Sequence, residues 1–142
     1  MHKQSEELMN AKDNRRLLQI LLASYVLLTL GVTLLVREPV GRELIQTEWL
    51  LCYNGQDPKM LADGVFNILL FVPIGILVGL IAGKGRLLLS TLAGLFISET
   101  IECSQLIWQR GTFDVNDLLN NTVGAFLGGA AVVLAFRLRR NV

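Results

Sequence analysis

Four stretches of the chain are apolar for about the length a membrane helix needs, and polar residues crowd between them. Leu17–Val36 carries no charged residue, and neither does Gly64–Gly83. Leu87–Trp108 is apolar apart from Glu99, Glu102 and a few small polar residues, and Leu118–Phe136 is the fourth stretch. A hydrocarbon core of ~30 Å takes ~20 residues at ~1.5 Å each. The pattern therefore predicts helices over about 17–36, 64–83, 87–108 and 118–136. A polar tail over 1–16, an outer loop over 37–63 and a basic tail over 137–142 complete the chain. The expected fold class is all-α: a polytopic membrane protein built as a four-transmembrane-helix bundle. The first run is too long for the h-region of a secretory signal and lacks a small-residue cleavage site after it, so it is read as a retained helix.

With 52% hydrophobic residues among 142, the four spans leave little chain for a soluble core. Lys and Arg set the orientation, because basic loops stay on the cytoplasmic side. Lys3, Lys12, Arg15, Arg16, Lys84, Arg86, Arg137, Arg139 and Arg140 fall on one side, against Arg37, Arg42, Lys59 and Arg110 on the other. Both termini are thus expected in the cytoplasm, in a multi-pass protein of the bacterial inner membrane. Trp49, Tyr53 and Trp108 then gather at the outer interface, where amphipathic rings settle. A net charge of +1 gives no reason to expect a nucleic-acid partner. The single histidine, His2, lies in the polar tail, which argues against histidine chemistry. Cys52 and Cys103 suggest neither a metal site nor a disulfide, and Cys103 is read as a small buried hydrophobe. No cofactor or metal is expected.

Each helix has a distinguishable face. In the second span Pro73 removes a backbone donor and frees the carbonyl of Leu69, while Gly75, Gly79 and Gly83 recur every fourth residue and invite close backbone approach. In the third span Thr91, Gly94, Ser98, Glu102, Gln105 and Gln109 form one stripe. In the fourth, Asp117, Asn121, Gly124, Gly128, Ala131 and Ala135 do the same. These stripes are the expected packed interior, and the glycines offer a surface for a homo-oligomer.

Carboxylates inside a span are the candidate chemistry, since an ionised group at a helix centre costs ~2.5–3.5 kcal/mol on insertion scales. Counting 1.5 Å per residue, Glu102 lies roughly 9 Å below the outer end, Asn121 roughly 6 Å and Asn67 roughly 5 Å. Glu102, Gln105, Asn121 and Asn67 therefore share a level, with Arg110, Asp114 and Asp117 just above them. This predicts a polar pocket between the second, third and fourth spans, opening outward. Glu99 is about one turn deeper and off the stripe. Asp114 or Asp117 also suits the N-cap of the fourth helix, and Arg110 is expected to anchor the turn and pair with one of them. Glu102 and Gln105 can equally act as interhelical hydrogen-bonding groups. The loop over 37–63 is read as a short surface helix able to cover the pocket.

The motifs Asn67-x-x-x-Phe71-x-Pro73-x-Gly75, Glu102-x-x-Gln105, Arg110, Asp114, Asp117 and Asn121-Thr122-x-Gly124, ending in Gly128, resemble the VanZ-like family of membrane proteins. The resemblance runs from residue 63 to 129, about half the chain, and leaves out the first span and most of the 37–63 loop. It implies a bacterial cell-envelope protein related to those associated with resistance to the glycopeptide teicoplanin. It implies no reaction. Three functions stay open. One is binding of a lipid-linked cell-wall component or a lipid-tailed amphiphile at the outward pocket, with the bilayer itself as the other partner. The second is a small proton-coupled transporter or flippase subunit using Glu102. The third is a surface hydrolase or transferase pairing Glu102 with Asp117. The absence of a Ser–His, Cys–His or metal-ligand set leans the reading away from an enzyme.

Overall fold

The structure is a computed structural model, described over residues 2–35, 45–46, 58–109 and 113–140. It contains four long helices: α1 (His2–Leu35), α2 (Pro58–Ile81), α3 (Arg86–Trp108) and α4 (Val115–Arg140). Within them, Met9–Leu35, Lys59–Ile81, Arg86–Trp108 and Val115–Arg140 are long and apolar enough to cross a membrane. The chain is an all-α, multi-pass membrane protein with four such helices, as the hydropathy pattern predicts.

The helices overrun the predicted spans. The polar segment before Leu17 is not a separate tail but the opening turns of α1. Its Glu6, Glu7, Leu8, Met9, Ala11 and Lys12 are good helix formers, so the helix does not stop where hydropathy does. Likewise α2 begins at Pro58, a residue suited to a first helical turn, and takes the end of the predicted loop. Helix α4 opens at Val115. Between α2 and α3 the chain turns sharply at Gly85, with φ of 70°, a backbone region that glycine enters at no steric cost.

A small element escaped the sequence pattern. Strand β1 (Ile45–Gln46) pairs in parallel with β2 (Phe113–Asp114), Ile45 opposite Phe113 and Gln46 opposite Asp114. The expected short surface helix is replaced by a strand at these two residues. The rest of 36–57 lies outside the described residues, as do Cys52, Trp49 and Tyr53.

The central contact is between α2 and α4, which run side by side in the same direction from the β2 end of the bundle. It is made backbone to backbone. A Cβ on Gly75 would strike the Ala125 carbonyl, one on Gly124 the Ile68 carbonyl, and one on Gly128 the Val72 carbonyl. This is the small-xxx-small mode of membrane helix packing. Below it, Gly79 receives Val132, with 3.3 Å left for a Cβ. Helix α3 closes over this pair: the Ser90 hydroxyl donates to the Gly75 carbonyl at 2.8 Å, and Gly94 lies against Ala125.

Two of the predicted stripes hold at their centres and shift at their ends. On α3 the buried line is Ser90, Gly94, Ser98, Ile101, Glu102 and Gln105; Thr91 is only half-buried and Gln109 is exposed. On α4 it is Asn116, Asn121, Gly124, Ala125, Gly128, Gly129 and Val132, while Ala131 and Ala135 are exposed. Gly83 is exposed and contacts nothing within 4 Å of its Cβ position. Cys103 is exposed rather than buried, because it lies beside Glu102 on the side of α3 turned away from the bundle.

Helix α1 is held more lightly, through α2 and α3. Phe71, Ile74 and Ile101 form a buried apolar cluster, against which Leu22, Tyr25, Val26 and Leu30 pack. The Tyr25 hydroxyl donates to a carbonyl of α2 at 3.0 Å. That carbonyl belongs to Leu70, the neighbour of the Leu69 carbonyl that Pro73 leaves without its helical donor. Leu70 packs on the α1 side of α2, whereas Leu69 is exposed. Tyr25→Phe removes this bond and keeps the ring. It should lower unfolding stability by about 0.5–1.5 kcal/mol, read as the midpoint of thermal unfolding in detergent. An unchanged midpoint would show that the bond carries no net stability.

Candidate functional site

The end of the bundle formed by the α3–α4 connection is where buried polar side chains gather. The described residues bury Thr29, Ser90, Ser98, Glu102, Gln105, Asn116 and Asn121, and all but Ser90 lie in the half of their helix nearest this end. Glu102 is 1% exposed. Its Oε2 accepts the backbone N–H of Asp114 at 2.8 Å. The Asp114 side chain in turn accepts the N–H of Asn116 at 2.8 Å, which caps the first turn of α4. Of the two aspartates considered for this cap, the structure assigns the bond to Asp114. Asp117 sits inside the first turn of α4, where a negative side chain suits the helix dipole, and its carboxylate accepts from Asn67 Nδ2 on α2.

Lower in the site, Asn121 Nδ2 donates to the Ser98 hydroxyl at 2.9 Å and so ties α4 to α3. Gln105 turns the other way: its Nε2 reaches the Thr33 carbonyl of α1 at 3.5 Å. Thr33 Oγ1 and Thr29 Oγ1 donate back to carbonyls of their own helix, which lets hydroxyls sit in an apolar span without open donors.

The structure therefore brings together Glu102 with Asp114, Asn67 with Asp117, and Asn121 with Ser98. It directs Gln105 away from Asn121, toward α1. Arg110 lies outside the described residues. Ser98 and Asn116 were not singled out as site residues from sequence, although Ser98 stood on the α3 stripe; Asn116 gave no signal apart from its place beside Asp117. Glu99 is exposed on α3, next to Phe96 and Thr100. Strand β1 runs beside this end, since Gln46 pairs with Asp114.

Asn121 holds a polar atom that the described part of the cluster leaves over. Asn121 is 4% exposed, and its Oδ1 accepts no hydrogen bond from any described residue. A buried carbonyl oxygen without a donor forfeits about 1–3 kcal/mol. Among the described residues, no three His, Cys, Asp or Glu side chains converge as the ligands of a metal ion would. Among the described residues, the chemistry on offer is hydrogen bonding by carboxylates and amides in an apolar surround.

Comparison with known proteins bears on the same residues. Residues 17–137 match the family model described as VanZ/LLP1. This match takes in the first span and the loop after it, which the motif resemblance left out. Protein VanZ from Enterococcus faecium is 36% identical over 62 residues, covering 44% of this chain and 38% of that relative. The matched stretch thus spans well under half of the relative's own length. No solved structure matches the chain. With most of its length matched, all four membrane-length helices included, the chain belongs to the VanZ/LLP1 family.

Proposed function

We propose that this protein is a non-enzymatic component of the bacterial cell membrane that binds a lipid-linked cell-wall component or a lipid-tailed amphiphile. The ligand's polar part enters the cluster at the α3–α4 end, and its hydrocarbon part stays in the bilayer alongside. The Lys and Arg distribution turns this end outward, with both termini in the cytoplasm. The observation that carries the reading is the Asn121 Oδ1 acceptor, buried and without a donor among the described residues, in a cluster where Glu102 is bonded to the Asp114 N–H and Asn121 Nδ2 to Ser98. An N–H or O–H of a ligand head group satisfies it. Asn67, Asp117, Glu102, Asp114 and Gln105 hold the surrounding backbone, and Arg110 meets an anionic group at the mouth. The relation to VanZ makes teicoplanin tolerance the natural phenotype to measure.

A proton path through the bundle has less support. Toward the opposite end Ser90 is the buried polar side chain among the described residues, and its hydroxyl is committed to Gly75.

The test expresses the wild-type chain, Asn121→Ala and Arg110→Ala at matched membrane levels in a teicoplanin-sensitive host. The wild type should raise the inhibitory concentration and both variants should return it to the host's value. No rise with the wild type, or full tolerance with both variants, overturns the proposal.

A further inference from the structure

A second site stands at the opposite end of the bundle, and the polar cluster plays no part in it. Between α2 and α4 lies a cavity of about 310 Å³, lined by Ile76, Leu80, Val132, Ala135, Phe136 and Arg139 among others. Its volume is that of a small-ligand cleft. From Arg139 to Ala131, which also lines it, the groove runs roughly 12 Å along the helix axis. Its walls are hydrocarbon and its one charged lining residue stands at the terminal end.

A second cation is fixed beside the same rim. The Arg86 guanidinium lies 4.1 Å from the centre of the Phe136 ring, and its Nε donates to the Gly79 carbonyl at 3.1 Å. Stacking and hydrogen bonding fix the group and leave its terminal nitrogens without a hydrogen bond to any described residue. Within α2, α3 and α4 no carboxylate near this end faces these charges; the acidic residues at this end are Glu6, Glu7 and Asp13 on α1. Ile76–Ser98 and Leu118–Val142 contain no Asp or Glu, while Lys84, Arg137 and Arg140 add to the positive field.

An apolar slot that ends in two arginines, at a depth where a helix leaves the hydrocarbon, has the polarity of a phospholipid: chain inside, anion at the boundary. Arginine's planar fork suits a phosphate oxygen pair better than a point charge does. We propose that the α2–α4 groove binds an anionic phospholipid, with one acyl chain against Ile76, Leu80, Val132 and Ala135 and the phosphate held by Arg139 and Arg86.

The experiment uses the full chain, reconstituted in bilayers of phosphatidylcholine containing one tenth phosphatidylglycerol. The protein is extracted in mild detergent and its retained lipids are counted by native mass spectrometry. The expected result is one retained phosphatidylglycerol, enriched about tenfold over its share of the bilayer. Arg139→Glu, at an exposed position, should abolish the enrichment, and Arg86→Lys, which keeps the charge but not the fork, should reduce it. Ala135→Trp, also at an exposed position, should fill the groove and expel lipid without lowering the unfolding midpoint. Retention of both lipids in proportion to their supply overturns the proposal, as does enrichment that survives Arg139→Glu and Ala135→Trp. A protein dimer that Ala135→Trp dissociates would also overturn it, by assigning the groove to a second copy. Teicoplanin tolerance is not read in this experiment, so its outcome is separate from that of the outer site.

Discussion

Gly75→Ala should destabilise the protein by about 3 kcal/mol, at the upper end of what overpacking costs, although it adds a single methyl group. The reason is what that methyl group meets. At Gly75 it lands on the carbonyl of Ala125. A flexible side chain could swing aside, but a backbone carbonyl inside a helix cannot. Helices α2 and α4 must then separate, and the contacts at Gly124 and Gly128 are lost with the one at Gly75. By the scaling of small domains, 3 kcal/mol moves an unfolding midpoint by roughly 6–12 °C. The control carries the opposite sign. Gly31 is also helical, but nothing lies within 4 Å of its Cβ position, so Gly31→Ala should be neutral or stabilise by up to ~1 kcal/mol. Differential scanning fluorimetry of both variants in the same detergent settles it, and equal midpoints would show that α2 and α4 are not in backbone contact.

Glu102 gives the second large effect, and the choice of replacement separates its roles. Glu102→Ala leaves the Asp114 N–H without its acceptor in a partly buried position, a loss of about 1–3 kcal/mol. It also removes the bond that holds the strand residue capping α4. Glu102→Gln keeps a side-chain oxygen at the same reach, so it should cost less than ~1 kcal/mol. If both lower the unfolding midpoint equally, the charge of the carboxylate matters and the hydrogen bond alone does not explain its place. If neither moves the midpoint, the bond from Asp114 carries no stability.

The four membrane helices were legible because a run of about twenty apolar residues has few other physical meanings. The separation of Glu102 from Glu99 was legible too. One lies on a helical stripe with Ser98 and Gln105 and is buried, and the other is off it and exposed. What the chain alone did not show depends on the partner. A stripe at 3.6-residue spacing can start at Ser90 or Thr91, and only the Gly75 carbonyl, supplied by another helix, selects Ser90. Ala131 and Ala135 are small and were read as inward. The structure instead turns Val132 inward, because Gly79 opposite it has made room for a larger side chain. Gln105 reaching Thr33, Tyr25 reaching Leu70, and the strand pair of two residues each are long-range contacts with no periodic signature.

The bond between Glu102 and Asp114 also bears on how the chain enters the bilayer. Only twelve residues separate its two groups, so it closes as soon as the start of α4 follows α3. Until then the Glu102 carboxylate stands in α3 without that donor, where an ionised group costs up to ~2.5–3.5 kcal/mol, and α3 is the least apolar of the four spans. Insertion of α3 and α4 together, as a hairpin with this bond already closed, lowers that cost for Glu102. The glycine contact between α2 and α4 joins helices that are not consecutive and can form only after this hairpin is in place. The least apolar pair of helices is thus the pair that must travel together, and the tightest seam of the bundle is the last to shut.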